Sequence, residues 1–185
     1  MKLTVSKRAG EKKSELTKLR YQGDIPAAVY SKGKQSELIV VNGAEFSAVI
    51  RGLPKGYLPT TVFELELDGK KQKALVKDVQ YHPTTYRVLH LDFMILDDKT
   101  SVDVKVPVAY IGEADCVGVK LGGFVRPIKR HVKVRCLPKD IPTDFKLSIK
   151  ELGIGQSKSV GDIEFGNAIR PLATNKEIVV VIAKR

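Results

Sequence analysis

Apolar residues in the first half of the chain predict a helix. In the stretch VNGAEFSAVIRGLP they recur at helical spacing, at Phe46, Val49, Ile50 and Leu53. Asn42 precedes this run in the position of an N-cap, and Glu45 lies three residues after Asn42. Pro54 closes the run. We therefore expect an amphipathic helix here.

The segments that follow alternate apolar and polar residues with the period of a β-strand. TVFELELDGKKQKALVKDVQ alternates, turns at Asp68-Gly69 and returns, which predicts a β-hairpin. A further strand is predicted in YRVLHLDFMIL, because side chains of a strand alternate between its two faces. One face carries Leu89, Leu91, Phe93 and Ile95, and the other carries Tyr86, His90 and Asp92.

The second half of the chain predicts strands almost throughout. The pattern changes near ILDDKTSVDVKV, and we expect two domains there, residues 1–94 and 95–185. Valines alternate with charged residues around Val104 and Val134, FKLSI and EIVVVIA add further strands, and the connections are rich in Gly and Pro. The second domain is therefore expected to be all-β.

The charge of the chain indicates a polyanionic partner. Thirty-two Lys and Arg against 21 Asp and Glu give +11, which suits nucleic acid or an anionic membrane surface. No apolar run approaches the roughly 20 residues of a membrane span and no secretory signal is visible, so a cytoplasmic protein without a membrane partner is expected. The surplus is concentrated at the start, where residues 1–20 hold seven basic and two acidic residues.

Few residues suggest chemistry at a catalytic or metal centre. No P-loop, GxSxG, HExxH or dinucleotide motif is present, Cys116 and Cys136 are expected to be small buried residues, and no enzyme, cofactor or metal is predicted. His90 and Asp92 share one strand face and admit three interpretations: a metal site completed by His82, an ordinary surface pair, or a polar contact to a ligand such as RNA. The last is favoured.

The basic start is a candidate RNA-binding segment. Leu16 and Leu19 are its only sizeable helix anchors, so by itself it is expected to be mobile. Tyr30 and Lys32 follow closely, which adds an aromatic ring and a further cation to the same neighbourhood. Cations for phosphate and an aromatic or hydroxyl group for sugar and base are typical of RNA recognition.

Several stretches together resemble a known family. KRAGEKKSELTKLRYQGDIPAAVY, DGKKQKALVKDVQYHP and RVLHLDF resemble the bacterial large-subunit ribosomal proteins that bind 5S rRNA. VPVAYIGEADCVGVKLGGFVRPIKRHVKVRCLPKDIP and LSIKELGIGQS are similar to the extra domain of the longer, general stress protein Ctc type of that family. The resemblance implies a mostly β, α+β fold: an N-terminal β-barrel with two or three helices, then a β-rich C-terminal domain.

The resemblance also implies an RNA-binding site and partners. The positions that match the family's RNA contacts are Arg8, Arg20, Tyr30, His90 and Asp92, with Lys77 and Gln80 as further contacts. SELTKLR departs from the family pattern at Leu16 and Thr17, so a contact or two is either missing here or taken over by Lys12, Lys13 or Lys18. The implied partners are 5S rRNA, the large ribosomal subunit and, through the C-terminal domain, neighbouring ribosomal proteins. Alternatives are a stress-linked ribosome-associated protein and another RNA-binding module, such as an anticodon-binding barrel.

Overall fold

The structure is a computed structural model that describes residues 1–8, 12–31, 33, 35–67 and 69–184. The chain folds into two compact units, residues 1–100 and 101–185. Strands dominate both units, so the expected mostly β fold is confirmed. No helix among the described residues is long and apolar enough to cross a lipid bilayer.

The first unit is built on a closed six-stranded barrel, as expected. Neighbouring strands follow the order β1-β3-β2-β6-β5-β4, with β1 parallel to β4 and β2 parallel to β6. Closure leaves no unpaired strand edge in this sheet. The strands are β1 (Lys2–Lys7), β2 (Ile25–Tyr30), β3 (Glu37–Val41), β4 (Val62–Leu67), β5 (Lys70–Tyr81) and β6 (Val88–Ile95).

Alternating apolar residues fill the barrel. Phe63 lies at its centre, with its ring 6.1 Å from that of Phe93 in an edge-to-face arrangement and 6.4 Å from that of Phe46. All three rings are fully buried. Leu3 and Val5 of β1 are buried in the same core, so the basic start is anchored by a strand. A mobile segment was expected because Leu16 and Leu19 are the only sizeable anchors of the following helix, whereas strand β1 supplies the anchoring.

Two helices accompany the barrel. Helix α1 (Lys13–Gln22) buries none of its residues and ends at Gly23, whose φ of 92° lies in the left-handed region. Helix α2 (Gly43–Gly52) begins as predicted: the Asn42 side chain accepts from the backbone N–H groups of Ala44 and Glu45, at 3.0 and 3.1 Å. The Glu45 carboxylate does not form a capping box, because it accepts from the N–H and hydroxyl of Thr4.

The second unit contains two sheets. One has the order β10-β7-β9-β12 and the other the order β11-β13-β8. A one-turn helix, α3 (Val117–Lys120), interrupts the predicted all-β pattern. The strands are β7 (Val102–Ile111), β8 (Gly123–Pro127), β9 (His131–Cys136), β10 (Phe145–Ser148), β11 (Ser157–Ser159), β12 (Arg170–Pro171) and β13 (Ile178–Lys184).

Both cysteines lie in the core of the second unit as free thiols, as expected of small buried residues. The Cys116 thiol donates to the carbonyl of Leu152 at a sulfur to oxygen distance of 3.3 Å. Burial, followed by the negative charges of Asp140 and Asp103, raises the pKa of the Cys136 thiol. Both effects keep this sulfur in its unreactive protonated form.

Candidate nucleic-acid interface

Three adjacent strands of the barrel direct polar side chains to one outer surface, which we call the HxD face. Strand β6 pairs with β2 on one side and with β5 on the other. Within these pairs His90 lies opposite Gln80, and Asp92 lies opposite both Ala28 and Asp78. The face comprises the outward side chains of Tyr30, Asp78, Gln80, His90 and Asp92.

A β-bulge at Lys77 brings β5 into this arrangement. Val76 pairs with Phe93 and points into the core, yet Asp78 pairs with Asp92 and points outward, because the register shifts between them. In a regular strand Val76 and Asp78 would lie on the same side. The extra residue therefore reverses the alternation and turns both Asp78 and Gln80 toward the HxD face.

His90 and Asp92 form the centre of the face. Their Nδ1 and Oδ1 atoms lie 2.9 Å apart, and 23% and 33% of the two side chains are exposed. The direction of the contact does not meet the geometry of a hydrogen bond, and Nδ1 itself is shielded from solvent. The two side chains are therefore in close polar contact without a hydrogen bond between them. Both residues, which the metal hypothesis and the RNA hypothesis share, are partly accessible to a ligand.

Arg20 ties helix α1 to the same strand. Its Nε–H donates to the carbonyl oxygen of Leu89 at 3.2 Å, beside His90 in the chain. The guanidinium thus lies at the edge of the HxD face although the two residues are 69 positions apart in sequence. This contact brings helix α1 of the basic segment and the polar strand β6 together.

Tyr30 lies on the same face, near its two carboxylates. Burial, followed by the charges of Asp92 and Asp78, raises the pKa of the phenol above its ordinary value. A raised pKa keeps the hydroxyl protonated in neutral solution, so that it is available as a hydrogen-bond donor. Tyr30 therefore contributes a donor where Asp92 contributes an acceptor.

Arg8 extends the outer surface across two more strands. Its backbone N–H donates to Leu38 at 3.0 Å, Leu38 pairs with Ala28, and Ala28 pairs with Asp92. These residues form one row, in which Arg8 and Asp92 are three strand spacings apart, about 14 Å measured along the curved wall of the barrel. Because Leu3 and Val5 point inward, the alternation of β1, continued by one residue, places Arg8 on the outer surface.

The remaining predicted cations are less uniform in position. Lys13 and Arg20 are seven residues apart on α1 and share one side of the helix, whereas Lys18 lies roughly 160° around the axis from Arg20. Lys77 is exposed within the bulge, next to Asp78. Lys32 lies outside the described residues. Lys13, Arg20 and Lys77 thus join the HxD face or its border, and Lys18 does not.

The chain is similar to known proteins over its whole length. Residues 3–93 match the Ribosomal L25p family, and residues 101–185 match the family of Ribosomal protein TL5, C-terminal domain. The large ribosomal subunit protein bL25 of Chlamydia trachomatis serovar A is 46% identical over 185 residues, with all of both chains covered. The proteins of that name from Chlamydia abortus and Chlamydia pneumoniae are 44% and 42% identical with the same coverage.

This chain belongs to the ribosomal L25p family. As a member of the L25p family it is a structural protein of the large ribosomal subunit and not an enzyme. The resemblance in the sequence is confirmed in both halves, including the C-terminal domain of the longer form.

His82, the third ligand of the metal hypothesis, has a structural role in this L25p chain. Its Nδ1 accepts from the backbone N–H groups of Thr84 and Thr85, at 3.3 and 3.2 Å, and so closes the turn between β5 and β6. Tyr86, predicted to share a strand face with His90, lies in this turn with φ of 55° and precedes the strand. Among the described residues no three His, Cys, Asp or Glu side chains form a metal-binding group.

Two residues near the site were missed by sequence reasoning. Asp78 faces Asp92 across the β5–β6 pair, and Arg87 lines the groove between α1 and the turn that precedes β6, together with Arg20. The signal for Asp78 was present: apolar residues occupy positions 74 and 76 but then position 79, a break in the two-residue period that indicates a bulge. No local pattern indicates the position of Arg87.

Proposed function

We propose that this protein binds 5S rRNA through the HxD face, with basic residues of α1 and the end of β1 at its border. Membership in a family of the large ribosomal subunit supports an rRNA partner, and the resemblance of KRAGEKKSELTKLR, IPAAVY and HLDF to proteins that bind 5S rRNA supports this particular RNA. The mixture of cations, carboxylates and a phenol on one open surface supports RNA over a purely electrostatic partner.

The observation that carries the proposal is the Arg20 to Leu89 hydrogen bond. It fixes a guanidinium next to a strand whose outward side chains can read sugar and base groups. In the described part of the chain, Nε is the only nitrogen of Arg20 that donates to protein, which leaves the two terminal nitrogens for a phosphate. Positioning by phosphate contact and reading by side chains of the face would then occur in one site.

The acidic residues of the face suit RNA in a specific way. Carboxylates repel phosphate, but the wide, shallow minor groove of an A-form helix displays ribose 2′-hydroxyls and base edges. Asp92 can accept a hydrogen bond from a 2′-hydroxyl or from a guanine amino group, and Tyr30 and Gln80 can donate to acceptors beside it. The face is therefore suited to the floor of a minor groove, and the arginines at its border to the flanking backbones.

The proposal is tested by the affinity of the full chain for 5S rRNA. Arg20→Ala and His90→Ala should each weaken binding by roughly 1–3 kcal/mol, the scale of one polar contact to nucleic acid. Lys71→Ala is the matched control, because Lys71 is an exposed cation nine residues before Gln80 on β5. Its effect should stay within about 0.5 kcal/mol. A loss in Lys71→Ala as large as the loss in Arg20→Ala would mean that only total charge matters, which contradicts the proposal.

Competition with tRNA distinguishes this proposal from an anticodon-binding module. Binding of 5S rRNA should resist a large excess of tRNA at moderate salt. It should also weaken by ~10³-fold or more between about 50 and 200 mM salt if about six phosphates are neutralised. Tighter binding of tRNA than of 5S rRNA would overturn the assignment of this RNA.

A further inference from the structure

The second unit carries a separate basic surface, which we call the lysine face. It consists of the outward side chains of the four-stranded sheet β10-β7-β9-β12. Inward positions of this sheet are apolar, for example Val104, Val134 and Leu147. Five of the outward residues are cations and one is an anion. They are Asp103, Lys105, Lys133, Arg135, Lys146 and Arg170.

The register of the sheet places like charges together. Lys105 lies directly opposite Lys133 in the antiparallel β7–β9 pair, and Arg135 lies opposite Arg170 in the β9–β12 pair. Like charges directly opposite each other destabilise a sheet. Among the described residues, no carboxylate lies within 4.0 Å of the Lys105 or Lys133 ammonium groups. A repulsive pairing of this kind on an exposed surface suits a partner that supplies negative charge.

Two acids at this surface, Asp103 and Glu177, are paired with cations. Asp103 accepts two hydrogen bonds from the Arg135 guanidinium, at 2.6 and 3.0 Å. Glu177, at the edge of the concavity that Lys105 and Lys133 line, forms an ion pair with Lys129. The charge available to a partner is therefore positive.

The side chains of the lysine face favour phosphate over bases. Its outward positions on β7, β9, β10 and β12 include no Phe, Tyr or Trp, and the imidazole of His131 is the one aromatic ring among them. Proteins that bind single-stranded RNA use exposed aromatic rings on which bases stack. Lysine is a flexible point charge that suits a phosphate oxygen without selecting a base. We propose that the lysine face binds the phosphate backbone of double-stranded RNA without sequence preference, independently of the HxD face.

The test compares two double variants of the full chain with equal net charge. Lys105→Gln/Lys133→Gln removes the opposed pair. Lys158→Gln/Lys184→Gln removes two lysines from the other sheet of the same unit, on β11 and β13. The probe is an RNA duplex of about 20 base pairs, unrelated in sequence to 5S rRNA, with binding measured by fluorescence anisotropy from about 50 to 200 mM salt. Since the first unit is the same in both variants, their difference reports the lysine face.

The lysine-face variant should bind the duplex about 10-fold more weakly at the lowest salt, and its slope of log affinity against log salt should fall by about 2. The control variant should lose less than about twofold. Equal losses, or no loss, would overturn the proposal. Tighter binding of the corresponding single strand would overturn the preference for a duplex. If the lysine-face variant lost binding to polyglutamate but kept the duplex, the surface would instead suit an acidic protein.

Discussion

The HxD face and the lysine face are both outer surfaces of β-sheets, yet they differ in the side chains that lie beside their cations. On the HxD face a guanidinium, held by a backbone carbonyl, lies beside a surface that carries an imidazole, a phenol, an amide and two carboxylates. On the lysine face cations lie opposite cations, and the one outward anion is bound by an arginine. The first arrangement suits recognition of particular chemical groups of a ligand, and the second suits binding by charge alone.

The largest effect, on the free energy of unfolding, should come from removing a core ring from one unit at a time. Phe63→Ala removes the central ring of the barrel and should cost about 3–5 kcal/mol of the unfolding free energy of the first unit, with loss of 5S rRNA binding. Phe145→Ala removes a buried ring that packs edge-to-face on Phe165 in the second unit, at a similar cost. Urea unfolding and 5S rRNA titration of each variant check this. Loss of 5S rRNA binding in Phe145→Ala, measured where its barrel is still folded, would contradict the assignment of that RNA to the barrel.

A smaller effect is expected on RNA affinity, where removal of one anion should have opposite signs on the two faces. Asp92→Asn removes an anion but should weaken 5S rRNA binding by roughly 1–3 kcal/mol, because a carboxylate is a stronger hydrogen-bond acceptor than the amide that replaces it. Asp103→Asn frees Arg135 from its ion pair and should strengthen duplex RNA binding by about twofold to fivefold. Both affinities are measured at the same salt concentration. Tighter binding in Asp92→Asn would show that the HxD face also works by charge alone.

The smallest effect concerns stability. Lys105→Gln/Lys133→Gln removes a like-charge pair from β7 and β9 and should stabilise the second unit by about 0.2–1 kcal/mol. The matched variant Lys158→Gln/Lys184→Gln should leave it unchanged within about 0.3 kcal/mol. Thermal unfolding at low salt measures both, and added salt should reduce the difference, since it screens the repulsion. A destabilised Lys105→Gln/Lys133→Gln protein would argue that the opposed lysines support the sheet.

Local patterns were sufficient for much of the fold. The Asn42 cap, the helix after it and the outward placement of His90 and Asp92 follow from residue spacing, because capping and strand alternation are properties of adjacent residues. The anchoring of the basic start was missed, since Leu3 and Val5 form too short an alternation to stand out before pairing with β3 and β4.

Features that depend on long-range pairing could not be predicted. The register that opposes Lys105 to Lys133 is set by tertiary packing between strands far apart in sequence. The Arg20 to Leu89 contact requires α1 to lie against β6, which no local pattern specifies. The bulge at Lys77 was visible as a broken alternation, but its consequence for Asp78 appears only once β5 is paired with β6.

The central claim is that 5S rRNA lies against the HxD face, and cross-linking tests it most directly. A photoreactive benzophenone side chain replaces Gln80, an exposed residue of the face, or Glu66, an exposed residue on β4 that pairs instead with Lys71 and Thr4. Irradiation of each full-length protein with 5S rRNA should give a cross-link from position 80 and little or none from position 66. Cross-linking from position 66 with none from position 80 would contradict the account.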